Sequence, residues 1–190
     1  VMHRVTGPIS IRLSGWTEGP YAPPTNDHWQ QGVLENVTFS GITATVPDYT
    51  IRRDMNWDQE RFSAITITGL PELRIRDLTF SDIRIRYPGG GTAEHAERTV
   101  LPDMPHSYPE YLMFGVPPAY ALYMAHADRI TFRNVAFGLD AEDARPAVIL
   151  NDCTDVQFDA SRLEASEDRR PQGGLRCSTC LLCALWSSLS

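Results

Sequence analysis

One stretch of the sequence recurs without a gap, and its pattern decides the fold. Residues 121–132 read ALYMAHADRITF and residues 147–158 read AVILNDCTDVQF, so apolar and polar positions coincide when residue 132 is aligned with residue 158. Each copy is a short apolar strand, a small polar corner and a second strand that ends on a Phe. A supersecondary unit that returns after such a short interval predicts a solenoid of stacked repeats.

The second-strand phrase of this unit occurs twice more upstream. Residues 36–42 (NVTFSGI) and 77–83 (DLTFSDI) match residues 129–135 (RITFRNV), and the intervals between the three phrases are unequal. These segments alternate with a period of two and are rich in Val, Ile, Thr and Phe, which favours strands over helix pairs. The unequal intervals predict stacked β-coils whose insertions leave the stack as loops at the corners.

The composition excludes several classes of function. The chain has 190 residues and a formal net charge of −7, and this argues against a nucleic-acid binder, because phosphate recognition needs a basic surface. All 17 basic residues are Arg, so Schiff-base and P-loop lysine chemistry are excluded. No apolar run is long enough to span a membrane. The length fits one domain with a sizeable core.

The repeats divide the chain into one domain and a tail. We expect trailing coils of a single domain over residues 1–163, a long insertion at residues 87–118, and an irregular tail at residues 164–190. Within the insertion, residues 92–99 are expected to form one or two helical turns. The tail contains a Cys-x-x-Cys-x-x-Cys arrangement at residues 177–183, but no His lies near it. This composition favours an irregular segment over a metal site, so no metal or other cofactor is predicted.

Short phrases along the chain carry a resemblance to a known family. Residues 2–11 read MHRVTGPISI, which has the form Met-x-x-Val-x-x-Pro-Ile-x-Ile. Together with the phrases at residues 36–42 and 77–83, and the stretch from Met113 to Tyr123, they resemble glycoside hydrolase family 28, the polygalacturonases and their relatives. In that family the first form is the strand after the active-site coils. The resemblance covers about residues 2–163.

The resemblance implies an all-β fold, a right-handed parallel β-helix of the pectin-lyase-like solenoid type. It also implies an inverting glycosidase for pectic chains, in which one carboxylic acid protonates the leaving oxygen and opposite carboxylates activate water. The family carries these acids in Asn-Thr-Asp and Asp-Asp motifs, beside Gly-His-Gly and Arg-x-Lys, and none of the four occurs in this sequence. All four precede the Met-x-x-Val strand in the family. We therefore expect a chain truncated at its N-terminus, with no catalytic residue and no activity alone.

The resemblance also implies the partners and the location of the full-length protein. Its substrate is a pectic polysaccharide that contains uronate residues. The family usually acts outside the cytoplasm, so we expect a secreted or periplasmic protein. A monomer is expected at full length.

Five residues are candidates for substrate binding: Arg12, Trp16, Tyr108, Glu110 and Phe114. Arg12 projects outward from the first strand, where its guanidinium suits a uronate carboxylate, although a solvated strand-face Arg is the simpler interpretation. Trp16 stands where many members of the family place a Tyr. Tyr108, Glu110 and Phe114 lie in the insertion. They are expected either to fold over the cleft and stack on sugars or simply to pack against the coils.

Other polar residues are expected to be structural. The residues His126 and Asp152 occupy equivalent corners of the two repeats, and Asx corners commonly bond their own backbone. The acids at residues 140–143 and 167–168 are expected to be solvated side chains in surface connections.

Two rival functions remain open. One is a non-catalytic β-helix that binds glycans or serves as a surface adhesin, in which the absence of the acids is real. The other is a polysaccharide lyase on the same fold, which cleaves by proton abstraction and commonly uses Ca²⁺ with a basic Arg or Lys. Since one fold supports all three functions, the site must distinguish them.

Overall fold

The part of the chain that the structure describes forms one sheet of ten strands that pair in parallel. The computed structural model describes residues 1–13, 32–49, 60–105 and 113–164, and the backbone of Leu175–Ser178 and Leu181–Ala184. The strands are β1 Ser10–Arg12, β2 Glu35–Ser40, β3 Thr43–Thr45, β4 Ile65–Thr68, β5 Ile75–Tyr87, β6 Leu122–Leu139, β7 Val148–Asp159, β8 Arg162–Glu164, β9 Leu175–Ser178 and β10 Leu181–Ala184. Every pairing between them is parallel, which confirms the predicted parallel all-β class.

The pairings arrange the strands in three rows. Row 1 contains β1, β4, the first residues of β6 and of β7, and β9. Row 2 contains β2, the first part of β5, the middle of β6, the rest of β7, and β10. Row 3 contains β3, the end of β5, the end of β6, and β8. The long strands β5, β6 and β7 therefore bend as they pass from one row to the next, and the sheet is curled.

A column of stacked phenylalanines runs through row 2. Its members are register partners in successive strands: Phe39, Phe80, Phe132 and Phe158. The ring centroids are 5.0, 4.9 and 4.7 Å apart, and the planes differ by 6°, 12° and 8°. This spacing matches the separation of neighbouring strands, so each ring lies directly on the next. The four rings are the same four that the sequence phrases align, and this confirms the predicted alignment of the repeats.

The corners between rows are made by residues in the left-handed region. One set of these residues lies just inside row 2 and comprises Asn36, Asp77, Arg129 and Asp155, with φ between 51° and 59°. The corner between rows 2 and 3 holds Gly41, Asp82, Asn134 and Ala160, with φ between 46° and 68°. Gly, Asn and Asp tolerate this conformation best, since their side chains are absent or bond locally. Six of these eight corner residues are Gly, Asn or Asp, so the corners explain why these residue types recur in the repeats.

The insertion begins with a turn and a short helix. Gly89 has a φ of 78°, and the N–H of Gly90 donates to the carbonyl of Glu142 at 2.7 Å. The helix α1 spans Ala93–Glu97, as the sequence predicts, and it starts at a Thr92 cap. The Thr92 hydroxyl accepts from the N–H of His95 at 3.3 Å, and the His95 ring accepts from the N–H of Thr92 at 3.2 Å.

The end of the chain differs from the predicted irregular tail. The backbone of β9 pairs with the first half of β7, and that of β10 pairs with its second half, at Leu150↔Cys177 and Val156↔Cys183 among other positions. Both pairings have the same offset in residue number (177 − 150 and 183 − 156), which exceeds that of the preceding repeat (158 − 132) by one. Two short strands thus extend the sheet beyond β7, because the exposed edge of β7 offers backbone groups for pairing.

Among the residues that the structure describes, no helix is long and apolar enough to cross a membrane.

Truncation of a central ring of the phenylalanine column tests how far stability depends on the stack. Phe132 is 0% exposed and lies between two other rings. We expect Phe132→Ala to lower the free energy of unfolding by about 3–5 kcal/mol, through lost transfer free energy and the cavity left behind. Urea denaturation measures this change. Val33→Ala, at a side chain that is 70% exposed, is the control and should change it by less than about 0.5 kcal/mol; equal effects would contradict the role of the stack.

Candidate functional site

The outward side of row 1 carries Arg12 and is the surface where a cleft is expected. Inward side chains of these strands, such as Ile67 and Met124, belong to the main core. The outward ones form two columns by register, which are Ser10, Thr66, Tyr123 and Ile149, and beside them Arg12, Thr68, Ala125 and Asn151. We call this surface the row-1 face.

The insertion lies across the row-1 face. Leu101 and Phe114 pack with Tyr123, Ala125 and Ile149 in an apolar cluster separate from the main core. The Tyr123 hydroxyl accepts a hydrogen bond from the N–H of Leu101 at 3.0 Å, and burial raises the pKa of this hydroxyl. Phe114 is only 5% exposed. In this arrangement its ring serves the packing of the insertion, and a sugar reaches it only if the segment moves.

Arg12 lies at the edge of the surface on which the insertion packs. Its Cζ is 4.7 Å from the centroid of the Phe114 ring, and its Nη2 donates to the carbonyls of Asp103 and Met104. Its Nε and Nη1 are buried and have no hydrogen-bond partner among the described residues. Burial lowers the pKa of the guanidinium, and the Asp103 carboxylate opposes that shift. Arg12 does project outward as predicted, but it is partly covered by the insertion rather than solvated.

A polar cluster occupies the corner between rows 1 and 2. Arg74, His126 and Asp152 stand at equivalent positions of three coils, each the same distance along the chain before its own phenylalanine of the column. His126 and Asp152 adopt φ values of 51° and 47°. Arg74 Nη1 donates to Asp152 Oδ2 at 2.6 Å, and His126 Nδ1 lies 2.7 Å from the same oxygen. The expectation of structural side chains at His126 and Asp152 agrees with these contacts.

Asp128 extends the cluster into row 2. Its two carboxylate oxygens accept from Nε and Nη2 of Arg74, each at 2.7 Å, and Thr154 Oγ1 donates to it at 2.5 Å. Arg76 lies 3.6 Å away. Burial by itself raises the pKa of Asp128, but the hydrogen bonds from Arg74 and Thr154 outweigh it and hold the pKa below its ordinary value.

His126 connects this corner to the insertion. Its Nε2 lies 3.0 Å from Asp103 Oδ1, while its Nδ1 faces Asp152. A neutral imidazole donates from one nitrogen only, so both contacts are hydrogen bonds when the ring is doubly protonated. The backbone at Gly69 also packs closely against His126, since a Cβ on Gly69 would lie 2.4 Å from the His126 carbonyl oxygen. We call Arg74, Asp103, His126, Asp128 and Asp152 the corner network.

The corner network is suited to bracing rather than to acid–base catalysis. A glycosidase needs one carboxyl group whose pKa is raised so that it donates a proton, and a second carboxylate that is free to act. Here hydrogen bonds from His126 and then Arg74 lower the pKa of Asp152, and the pKa of Asp128 is lowered as well. Both carboxylates are committed to cationic neighbours. The network therefore holds the insertion and the corner in place electrostatically.

A buried ion pair fixes the other end of the insertion. Asp143 is not the solvated acid expected from the sequence, because it is 6% exposed and accepts from Nε and Nη2 of Arg145 at 2.9 and 2.8 Å. Arg145 Nη1 donates to the carbonyls of Phe62 and Pro117 at 3.0 and 3.1 Å. A Cβ on Gly91 would lie 2.1 Å from Asp143 Oδ1, so this glycine is needed for close approach. The pair therefore joins three connections: the one that follows β6, the segment before β4 and the insertion.

The structure brings two of the predicted substrate-binding residues together. Arg12 and Phe114 are in contact through the guanidinium and the ring. Trp16, Tyr108 and Glu110 lie outside the described residues. Among the residues described, no group of three or more His, Cys, Asp and Glu side chains is arranged to hold a metal ion.

Sequence reasoning missed Arg74 and Asp103. Arg74 had a detectable signal, because the alignment that superimposes the phenylalanines also places residue 74 with the corners at 126 and 152. Asp103 had none, since it lies in the insertion, where the repeat gives no register. Asp128 was visible within the repeat, but only folding shows that it faces Arg74.

Comparisons of the chain with protein-family models, with curated proteins and with solved structures found no match. The function is therefore argued from the residues and contacts of the chain itself.

Asp128→Asn tests the corner network through the pH dependence of stability. Because the folded-state pKa lies below the ordinary value of 3.8, the Asp128 carboxylate stabilises the fold above that value. This stabilisation is lost as the pH falls through the folded-state pKa. We expect Asp128→Asn to cost roughly 2 kcal/mol at pH 7, less than for a fully buried pair. The difference from the wild type should shrink below about pH 4.

Urea midpoints at pH 7, 5 and 3 measure this dependence. The control is Asp159→Asn, whose carboxylate is 68% exposed and lies 3.5 Å from Arg133. It should change stability by less than about 1 kcal/mol. A difference between Asp128→Asn and wild type that stays constant from pH 7 to pH 3 would show that the network does not hold the carboxylate charged.

Proposed function

We propose that the chain is the trailing part of a right-handed parallel β-helix in a pectin-directed glycoside hydrolase. The observation that carries the proposal is the register of the family-like phrases. Residues 36–42, 77–83 and 129–135 lie in adjacent strands of row 2, with their Thr-Phe pairs directly over one another. Three phrases picked out by resemblance thus occupy equivalent positions in successive coils, which is what homologous turns of one β-helix require.

The row-1 face supplies the substrate surface in this proposal. The insertion covers that face over β6 and β7 and reaches as far as Arg12 in β1. In this proposal the open cleft lies on the other side of Arg12, toward the coils that would precede β1. Arg12 stands at this border with two buried nitrogens, Nε and Nη1, that lack acceptors among the described residues. A buried donor without an acceptor is costly, and a uronate carboxylate would satisfy it through a charge-assisted hydrogen bond.

The catalytic carboxylates belong to coils that precede Val1 in this proposal. The family motifs that carry them are absent from the sequence. The described carboxylates beside the row-1 face, Asp103, Asp128 and Asp152, are engaged by arginine or histidine. The same proposal gives the full-length protein a pectic substrate, a secreted or periplasmic location and a monomeric state.

One observation favours a second function, that of a non-catalytic β-helix that binds glycans. The insertion packs directly on the row-1 face through Leu101 and Phe114, and this leaves less open surface for an extended substrate chain. A glycan-binding module needs Arg12 to contact a carboxylate of the glycan, but it does not need catalytic carboxylates.

The experiment is an assay of the chain expressed with its upstream reading frame. We expect release of reducing ends from polygalacturonate, and loss of that release when an upstream Asp-Asp motif is changed to Asn-Asn. Retention on a pectin column without release from polygalacturonate or rhamnogalacturonan would instead support the binding module. Neither release nor retention would refute both functions.

Arg12→Gln tests the carboxylate contact in the same protein. A charge-assisted hydrogen bond contributes about 1.5–3 kcal/mol, so we expect roughly a tenfold or greater rise in KM for de-esterified substrate. Methyl-esterified substrate lacks the charge and should show almost no change. Arg133→Gln, on an exposed side chain of row 2, is the matched control. An equal loss with both substrates would mean that Arg12 only braces the insertion.

A further inference from the structure

A cavity lies away from the row-1 face, where the strands of row 3 end. Its volume is about 370 Å³, within the range of small-ligand sites. It is lined by the connections that follow β3, β5 and β6 and by the segment before β4. Four of its residues, Arg4, Tyr49, Arg61 and Asp140, determine its chemistry. We call it the Arg4–Arg61 cavity.

Arg61 is one of the residues that line this cavity. Its Nη2 donates to the Gly89 carbonyl at 3.4 Å, and its Cζ lies 5.5 Å from the centroid of the Phe62 ring. Its Nε is buried and has no hydrogen-bond partner among the described residues. These contacts hold the guanidinium and its positive charge beside the cavity, where the charge attracts an anionic group.

Arg4 and Tyr49 also line the cavity. The Arg4 Cζ is 5.8 Å from the centroid of the Tyr49 ring, and Tyr49 is 43% exposed. An exposed aromatic ring beside a guanidinium offers an apolar face and a positive charge to the same ligand. Sugar rings use such faces for stacking, and a carboxylate on the ring would meet the guanidinium.

The charge balance of the cavity favours an anion. Its lining contains Arg4 and Arg61 and the acids Asp48 and Asp140. The Asp140 carboxylate accepts from Nε of Arg86, so its charge is already balanced from outside the lining. Among the described lining residues, the two guanidinia are then opposed by Asp48, which leaves an excess positive charge in this part of the lining.

We propose that the Arg4–Arg61 cavity binds a carboxylated sugar residue. The carboxylate would lie near the guanidinia of Arg4 and Arg61, and the sugar ring would lie on Tyr49. The site is separate from the row-1 face, and it does not depend on the proposed hydrolase activity. In a protein that acts on uronate-containing chains, it would hold a part of the polymer outside the cleft.

Binding of two sugars that differ only in the carboxylate tests the proposal. The purified full chain is titrated with galacturonate and with galactose, and NMR follows the Arg Nε–H signals. We expect galacturonate to shift the Arg61 signal and to bind at least tenfold more tightly than galactose. Acetate, which lacks the ring, should bind roughly tenfold more weakly than galacturonate. Equal affinity for the two sugars, or for acetate and galacturonate, would overturn the proposal.

Substitutions locate the site. Arg61→Gln and Arg4→Gln should each weaken galacturonate binding by roughly tenfold. Tyr49→Ala should weaken galacturonate and leave acetate unchanged. Arg133→Gln, on row 2, is the control. Because Arg61 also contacts the insertion, Arg4→Gln, whose side chain is exposed, decides the outcome if Arg61→Gln fails to fold. Unchanged binding in Arg4→Gln, or an equal loss in Arg133→Gln, would refute the assignment.

Discussion

The in-register stacking of parallel strands is the constraint on which the rest of the structure depends. Each residue lies over its equivalent in the next coil, at the separation of hydrogen-bonded strands. Side chains of one type therefore form columns. The phenylalanines of row 2 stack as rings. On the outside, Arg129 pairs with Asp77 at 2.7 Å, and Asn134 donates to Asp82 at 2.6 Å, each from one coil to the next.

The stacking of strands does not determine where the insertions lie on the sheet. Their position depends instead on buried or half-buried charged side chains. The Arg145–Asp143 pair anchors the connection after β6 to the beginning and end of the insertion. The corner network anchors its middle, because Asp103 meets His126. Ion pairs of this kind contribute less to net stability than to specificity, since desolvation offsets much of their attraction. Their effect here is to select one position for a long segment with no register of its own.

The same ion pairs also limit the chemistry that the carboxylates can perform. The carboxylates of Asp128 and Asp152 are held ionised by their neighbours, the opposite of what a general acid needs. Two arginines, in contrast, keep buried donors without acceptors among the described residues: Arg12 beside the row-1 face and Arg61 beside the Arg4–Arg61 cavity. In the two proposals above, these arginines recognise anionic groups. Among the described residues, Asp128 and Asp152 do not have the raised pKa that a general acid needs.

The sequence by itself determined the parallel all-β class, the repeat alignment and the corners, because these follow from local alternation and from the residues that tolerate positive φ. It determined that Arg12 faces outward, because strand alternation is local. It did not determine that Arg12 would lie against Phe114, that Asp143 would be buried, or that residues 175–184 would add strands to β7. Those outcomes were decided by tertiary structure. Contacts between an insertion and a coil, or between a tail and an open strand edge, join segments that no repeat relates, and their energy exists only once the chain has folded.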